Sequence, residues 1–547
     1  MAGQLTGQPI IILDKDKTRT QGRDALGYNI SAAKAVADAV RTTLGPKGMD
    51  KMLVNPVGDV VITNDGATIL REMDIQHPAA KMMVEVARTQ EDKAGDGTTS
   101  AVVLAGELLN KAHALVEQGA HPTTITRGYG LASVKALEIL DELAIDASDD
   151  VLEDIARTAL TGKSADLALD SLVQLCVETA KAIKEGGKVN VKENINIIHQ
   201  RGGRIKDTKF IHGLVIDKAR AHKNMPKKVE NARIAVIDIG IEVEKTQVKS
   251  KLKITSPELI SEARLEESKL VEEKVEALAK SGANVIFTEK GIDDIGMHYL
   301  AKKGIFAVRR CKDEEIKKIV KATGARVVSK LDGVEEDDLG KADIVEERGV
   351  GNYKMVYIEG CRNPKAVSIL IYSGAEHVAD EVERALDDAL RVVGVVIEDG
   401  KVVAGGGSPE MEMATGLRKY ATAQSGREQL AIMAFADALE EIPKAIAENA
   451  GLDAINIIAE LRNKHNKGIK TAGLNVFTGK AEDMLKLGII EPLRVKTQEI
   501  KSATDVAVMI LRINDILTAK ETGMMDVRPE HTAGYYDGIE APDVGED

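Results

Sequence analysis

Three things that would have narrowed this sequence to a role at once are scarce in it: cysteine, long apolar runs and surplus positive charge. Of 547 residues only Cys176, Cys311 and Cys361 are cysteine, isolated and without a Cys-x-x-Cys partner. That excludes a disulfide framework and leaves reduced thiols packed as small apolar groups. Hydrophobic residues make up 44% of the chain, yet no run approaches the ~18 apolar residues of a membrane-spanning helix. The N-terminus shows no basic region followed by an apolar one, so a soluble cytoplasmic protein without a membrane partner is expected. The formal net charge of −13 argues against a nucleic-acid partner, whose binding is driven by Lys and Arg displacing counterions. Arg201-Gly202-Gly203-Arg204, a single copy between strand-like segments, reads as a loop and not as an RNA-binding piece. The length exceeds what one core organises and points to several units.

The stretch around which the chain is organised is Ala94-Gly95-Asp96-Gly97-Thr98-Thr99-Ser100. Met82, Met83, Val86 and Ala87 before it, and Val102, Leu104, Ala105, Leu108, Leu109, Ala112 and Leu115 after it, recur at helical spacing. The loop therefore sits at a helix N-terminus, where unpaired N–H groups and the helix dipole favour an anion. Its glycines let the backbone approach a bulky group, and its threonines add donors. Phosphate is the natural anion, and Asp96 beside it suits Mg2+, which keeps most of its ligands from phosphate and water. The same residues also suit an ordinary cap after a glycine turn, and alone they do not decide between the two.

Two more glycine-rich loops adjoin helices, Leu44-Gly45-Pro46-Lys47-Gly48 and Val403-Ala404-Gly405-Gly406-Gly407-Ser408-Pro409-Glu410. The first ends a helix expected from about Asn29. Pro9 to Leu13 reads as a strand, and residues 51–63 as a hairpin followed by the turn Asn64-Asp65-Gly66. Leu160-Thr161-Gly162-Lys163-Ser164 looks like the end of a Walker A motif, but Arg157 stands where the upstream glycine is required. Strands at 234–238, 284–287, 305–308 and 325–328 alternate mostly with helical stretches, the pattern of an α/β unit. Ser256-Pro257 starts a helix with no stop before Gly282, roughly 37 Å long. Its first half is so charged that residues 241–269 are expected to project from the unit. Antiparallel-looking strands follow at 354–359 and 366–372. Next comes a helix with Val378, Val382, Ala385, Leu386, Ala389 and Val393 inward, and Asp387 and Asp388 on its polar flanks. The acidic, Gly- and Pro-containing tail from about 529 is expected to be disordered.

If the glycine loops serve one nucleotide, about 300 residues between the second and third must leave a domain and return to it. The chain is then nested, with a hinge crossed twice. In this order and spacing, Leu44-Gly45-Pro46-Lys47-Gly48, Thr63-Asn64-Asp65-Gly66, Gly95-Asp96-Gly97-Thr98-Thr99, Val403-Ala404-Gly405-Gly406-Gly407 and Ile489-Ile490-Glu491-Pro492 resemble a chaperonin. The charged insert is similar to the built-in lid of the group II branch. The match runs from about residue 10 to 525.

The resemblance implies a multi-domain fold: a mainly α-helical equatorial ATPase domain (1–146 and 402–547), an α/β intermediate domain (147–216 and 369–401) and an α/β apical domain (217–368) with a helical lid. It also implies ATP/ADP and Mg2+ as cofactors and non-native client proteins as partners. Two stacked rings, usually of eight subunits and possibly of paralogues, would enclose the client. By position it makes Asp96 the Mg2+ ligand, Asp65 and Asp388 the carboxylates that handle the attacking water, and Lys163 the sensor of the terminal phosphate. Gly45, Gly97, Thr98, Thr99 and Ser100 match phosphate contacts, and Glu491 the ribose partner. Leu44, Gly162, Gly406, Gly407, Asn475 and Lys496 complete the expected nucleotide contacts. Pattern alone does not choose Asp388 over Asp387; the resemblance does. Hypotheses from other classes are a small-molecule kinase or ligase and a scaffold that binds ATP without using it. The ending, Glu530 to Gly538 and then acid, departs from the Gly- and Met-rich tail of many archaeal relatives.

Overall fold

The computed structural model describes residues 18–54, 58–163, 166, 168–242, 257–331, 334–350, 353–361 and 365–518. The expected strand at 9–13, residues 243–256 of the charged insert and the acidic tail lie outside them. The described residues divide into two compact units, one formed by the chain ends and one spanning Tyr28–Arg512. In the first, Thr18–Gln21 pairs antiparallel with Asp515–Thr518, and the Gly22 N–H donates to the Asn514 carbonyl at 2.8 Å.

The larger unit contains a helical layer centred on Thr98–Glu117. Ala101 to Ala105 are consecutively apolar or small and all buried, so the first half of this helix has no polar side and must be surrounded. Pro78–Ala94, Glu428–Leu439 and Leu493–Leu511 pack around it. Tyr129, from Pro122–Leu143, buries its ring edge-on to Phe435 and donates its hydroxyl to the Leu108 carbonyl at 2.7 Å, which satisfies the one polar group that burial would otherwise strand. The hairpin forms as expected, Lys51–Val54 against Val60–Thr63. The first helix, Gly22–Arg41, begins earlier than the expected Asn29.

Strands far apart along the chain pair with one another. Lys401–Ala404 lies between Ile490–Pro492 and Ile145–Asp146. Val367–Ser373 lies between Ile195–Arg201, parallel, and Lys209–Ile211, antiparallel. A seven-stranded mixed sheet runs Phe306–Val308, Val285–Thr288, Lys228–Ile237, Gly340–Val350, Tyr353–Glu359, Gly213–Ile216, with Val327–Val328 alongside Lys228–Ile237. Of the antiparallel-looking strands expected at 354–359 and 366–372, the first pairs antiparallel on both sides, whereas the second, in a different sheet, pairs antiparallel with 209–211 and parallel with a strand some 170 positions earlier.

Pro257–Lys280 is a continuous helix. Leu265 and Leu270 are exposed, whereas Val271, Val275 and Leu278 are buried against the sheet's outer core. The expected projection is corrected at its start: Ile241 is fully buried and bridges to Ile292, so it belongs to the core. In Glu376–Asp399, Val382, Ala385, Leu386, Ala389 and Val393 are buried as expected, but Val378 is 38% exposed because it lies in the first turn, beyond the packed part of the face.

Candidate functional site

Asp65 closes the strand 60–63 and caps the helix Gly66–Glu72: its carboxylate accepts from the Ala67 and Thr68 N–H groups at 3.2 and 2.8 Å. The common turn composition is therefore a true cap, and the cap fixes where the carboxylate stands. The Thr98 hydroxyl donates to the same carboxylate at 3.3 Å. Neighbouring Asn64 donates to the Gly162 carbonyl at 3.3 Å, tying this turn to the loop that carries Lys163.

The loop 95–97 is held from behind. Gln90, fully buried, donates to the Asp96 carbonyl at 2.8 Å and to the Val495 carbonyl at 3.1 Å. Gly97 is the N-cap of the 98–117 helix at φ 78°, and a Cβ there would stand 2.8 Å from Val495, so glycine is required by conformation and by space. Asp96 accepts from the Gly97 N–H at 2.7 Å. Thr98 and Ser100 are buried at the helix start.

Lys163 reaches across to the 376–399 helix, its Nζ 2.6 Å from Asp388 Oδ2. Asp387 instead pairs with Arg391 at 2.5 Å. Burial opposes the charge on Lys163, but Asp388, Asp96 and Asp65 together outweigh it and lift the ammonium above its ordinary range. Burial lifts Asp388 well above a usual carboxylate, with Asp65 and Asp96 adding to the effect against the pull of Lys163. Three carboxylates thus confront one ammonium. Among the described residues no group of three or more His, Cys, Asp or Glu side chains is arranged to hold a metal alone. A cation that takes most of its ligands from phosphate and water fits Asp96 without such a cage.

These groups, and every other residue expected at the site, line one cavity of about 470 Å³: Leu44, Gly45, Asp65, Asp96 to Ser100, Gly162, Lys163, Asp388, Gly406, Gly407, Asn475, Glu491 and Lys496. Asp96 and Asp388, nearly 300 positions apart, face the same space. Glu491 is brought there by its strand, opposite Val403, and Lys496 by the first turn of the helix that follows. The Asn475 side chain is committed to its own turn, accepting from the Phe477 N–H at 3.0 Å and donating to Glu482 at 2.6 Å, so it presents mainly backbone. Sequence reasoning missed the apolar wall, Ile442, Ile446, Leu474, Val476, Leu487, Ile489 and Val495, and also Arg157 and Thr158. Apolar side chains on helices carry no mark separating a cavity wall from a core. Thr158 and Arg157 precede the Gly-Lys pair by one helical turn, which was the available signal.

The 376–399 helix is seated against the loop. Arg391 Nη1 donates to the Glu91 carbonyl at 3.5 Å, Arg384 Nη2 donates to the Ile62 carbonyl at 3.1 Å, and a Cβ on Gly95 (φ 77°) would stand 2.4 Å from Arg391 Cβ. Gly95→Ala is therefore expected to hold the helix off. Overpacking of about 1–3 kcal/mol, at about tenfold per 1.4 kcal/mol, should slow nucleotide turnover by roughly fivefold to a hundredfold. Binding should change little. Nucleotide titration beside phosphate release checks this, and equal turnover would refute the seating.

The chain matches the sequence model of the TCP-1/cpn60 chaperonin family over residues 36–521. It is 54% identical to the thermosome subunit of Methanopyrus kandleri over 521 residues, covering 94% of this chain and 96% of that one. With the thermosome subunit alpha of Archaeoglobus fulgidus it shares 54% over 522 residues, 94% and 96% of the two chains. With the thermosome subunit of Pyrococcus horikoshii it shares 52% over 524 residues, 95% of each. Similarity of this extent, over nearly the whole length of both partners, settles the family: the chain belongs to the TCP-1/cpn60 chaperonins and is a group II chaperonin.

Proposed function

We propose that the cavity binds Mg-ATP and that its hydrolysis drives closure of a chamber around non-native protein. The observation that carries this is the convergence of segments near residues 45, 65, 96, 163, 388, 406, 475 and 491 on one space. As a chaperonin the protein is an ATPase coupled to folding, and the residues divide that work. The N–H groups opening the 98–117 helix, with Gly45, Gly406 and Gly407, hold phosphate oxygens. Asp96 holds Mg2+, which when bound neutralises phosphate charge. Lys163 turns from Asp388 to the terminal phosphate, and Asp388, released, joins Asp65 in orienting water, since phosphoryl transfer asks mainly for positioning and charge stabilisation. Glu491 and Lys496 hold the ribose side, and the apolar wall takes the base.

Three nested modules transmit the result: residues 1–146 with 402–547, 147–216 with 369–401, and 217–368. The pairing of 145–146 with 401–402, and of 195–201 with 367–373, supports crossing points at these places. Asp388 belongs to the middle module and Asp96 to the first, so the site is complete only when the two are closed together. The outer module carries the lid, read as 241–269 less the buried Ile241, and the hairpin of Lys51–Val54 and Val60–Thr63, with Met52 and Val54 exposed, offers an edge to a neighbouring subunit. Two stacked rings, of eight in the expected arrangement, are the assembly this favours, in the cytoplasm. Sizing together with refolding of a denatured client tests the reading. A ring-sized particle that restores the client only with ATP and Mg2+ is expected. A small oligomer that turns ATP over only with a small acceptor would favour a kinase or ligase instead.

A further inference from the structure

Behind the cavity wall formed by Glu491 and Lys496 stand two more carboxylates that do not line it, Glu410 and Glu499. Lys496 Nζ lies 2.7 Å from Glu410 Oε1, 2.9 Å from Glu491 Oε2 and 3.4 Å from Glu499 Oε2. Glu410 is 0% exposed, Glu499 1% and Lys496 4%. The groups come from three elements. Glu410 is in the first turn of Ser408–Thr422, directly after Gly405 to Gly407; Glu491 is on Ile490–Pro492; Lys496 and Glu499 lie one turn apart on Leu493–Leu511. The charged groups with the largest effect on the cluster are these four, with Asp96 beyond them acting on Glu491.

One ammonium thus serves three carboxylates, two of them, Glu410 and Glu499, out of water. A buried charge without a full partner is costly, and a carboxyl so placed takes up a proton. Glu499 is the member placed to do so. At 3.4 Å it is the farthest of the three from Lys496; its Oε1 has no hydrogen-bond partner, and neither has either oxygen of Glu410, but Glu410 is held by the 2.7 Å ion pair to Lys496. Burial lifts its carboxyl to about 8, against the pull of Lys496 and with Glu410 and Glu491 adding to the rise. Lys496 stays charged well past that range.

We infer that Glu499 is a positioning residue for the nucleotide: protonated, it leaves the Lys496 ammonium to Glu410 and Glu491 and so holds Glu491 in place at the cavity; ionised, it competes for the same ammonium and loosens Glu491. This rests on the nucleotide reading above. The proton passes between the Glu499 carboxyl and solvent, and nothing else is consumed. Because the nucleotide favours the protonated form, binding near pH 8 is accompanied by uptake of a fraction of a proton per site.

The test uses the assembled full-length protein, Mg2+ and ADP, which binds without turnover. Calorimetry at pH 8 in two buffers of different ionisation enthalpy counts protons, and titrations from pH 7 to 9 give the affinity profile. Wild type is expected to take up protons and to lose affinity several-fold over that range. E499Q, fixed in the neutral form, is expected to take up none and to show a flat profile, and E499D should restore the uptake. Equal uptake and parallel profiles in wild type and E499Q would overturn the inference. Should E499Q fail to assemble, wild type decides alone, since absence of proton uptake at pH 8 is equally fatal. Failure of wild type to bind ADP at all would instead overturn the nucleotide reading, and the inference with it.

Discussion

Asp388→Ala is expected to yield a protein that binds ATP and barely hydrolyses it, with turnover reduced by about 10²-fold or more, the range for losing a group that positions or accepts the reacting proton. Two features of the site make the effect selective. Asp388 arrives from the 376–399 helix and not from the loops around Gly97 and Gly406 that would hold the nucleotide, so binding has other supports. Its 2.6 Å partner, Lys163, is left in the variant facing Asp96 and Asp65, free to meet the terminal phosphate. Affinity for ATP should therefore hold or rise. Asp387→Ala is the control. Asp387 pairs with Arg391 on its own helix, so its loss loosens the seating of that helix without removing a group from the cavity, and a decrease of tenfold or less is expected. Nucleotide titration and phosphate release on both variants measure this. Unchanged turnover in Asp388→Ala, or a larger loss in Asp387→Ala, would reverse the assignment.

That contrast also marks what the sequence makes legible. Asp387 and Asp388 sit side by side on the polar flank of one apolar stripe, and periodicity treats them alike. What separates them is a lysine 225 positions away, brought near by strand pairing that no local pattern encodes. The glycine loops were readable because residue type there reports backbone geometry: Gly97 has to be left-handed, and Asp65 has to cap. Lys163 was readable only in part. Its Gly-Lys suggests a phosphate contact, but its position depends on the Asn64 side chain reaching the Gly162 carbonyl. The helix start at Gly22 was hidden by Gly27, a poor interior helix former, tolerated while Ala25, Leu26 and Ile30 are buried. Ile241 was hidden by the charged run that follows it. Glu410 and Glu499 were invisible as buried groups, since a charged residue on a helix is ordinarily a solvated one.

Lys496→Met should have the largest effect on stability of any single change at the site. Methionine matches the volume of the lysine stem, so packing is nearly kept, but Glu410 and Glu499 lose the one cation that pairs with them among the described residues. Breaking a buried ion pair from one side costs about 3–5 kcal/mol, well above an ordinary surface change. The sign with pH follows from proton linkage. In wild type the Glu499 carboxyl is raised from 4.5 to about 8 on folding, so the folded state holds a proton that the unfolded state has lost across that window. The stability contributed by this group is full below 4.5 and is lost as pH rises toward 8. Removing the ammonium takes away the pull that opposes the rise of Glu499 and Glu491, so more protons are held in the folded variant and its stability falls more steeply as pH rises. The gap between variant and wild type should accordingly be small near pH 5 and widest above pH 8. Adding Glu410→Gln and Glu499→Gln to the variant should recover most of the loss at high pH, since a neutral amide needs no counter-charge. Urea or thermal unfolding of the assembled proteins at pH 5.5, 7 and 8.5 measures this directly. A gap that stays constant across those pH values would mean that Lys496 acts through packing and not as the charge that lets three buried carboxylates share one corner of the site.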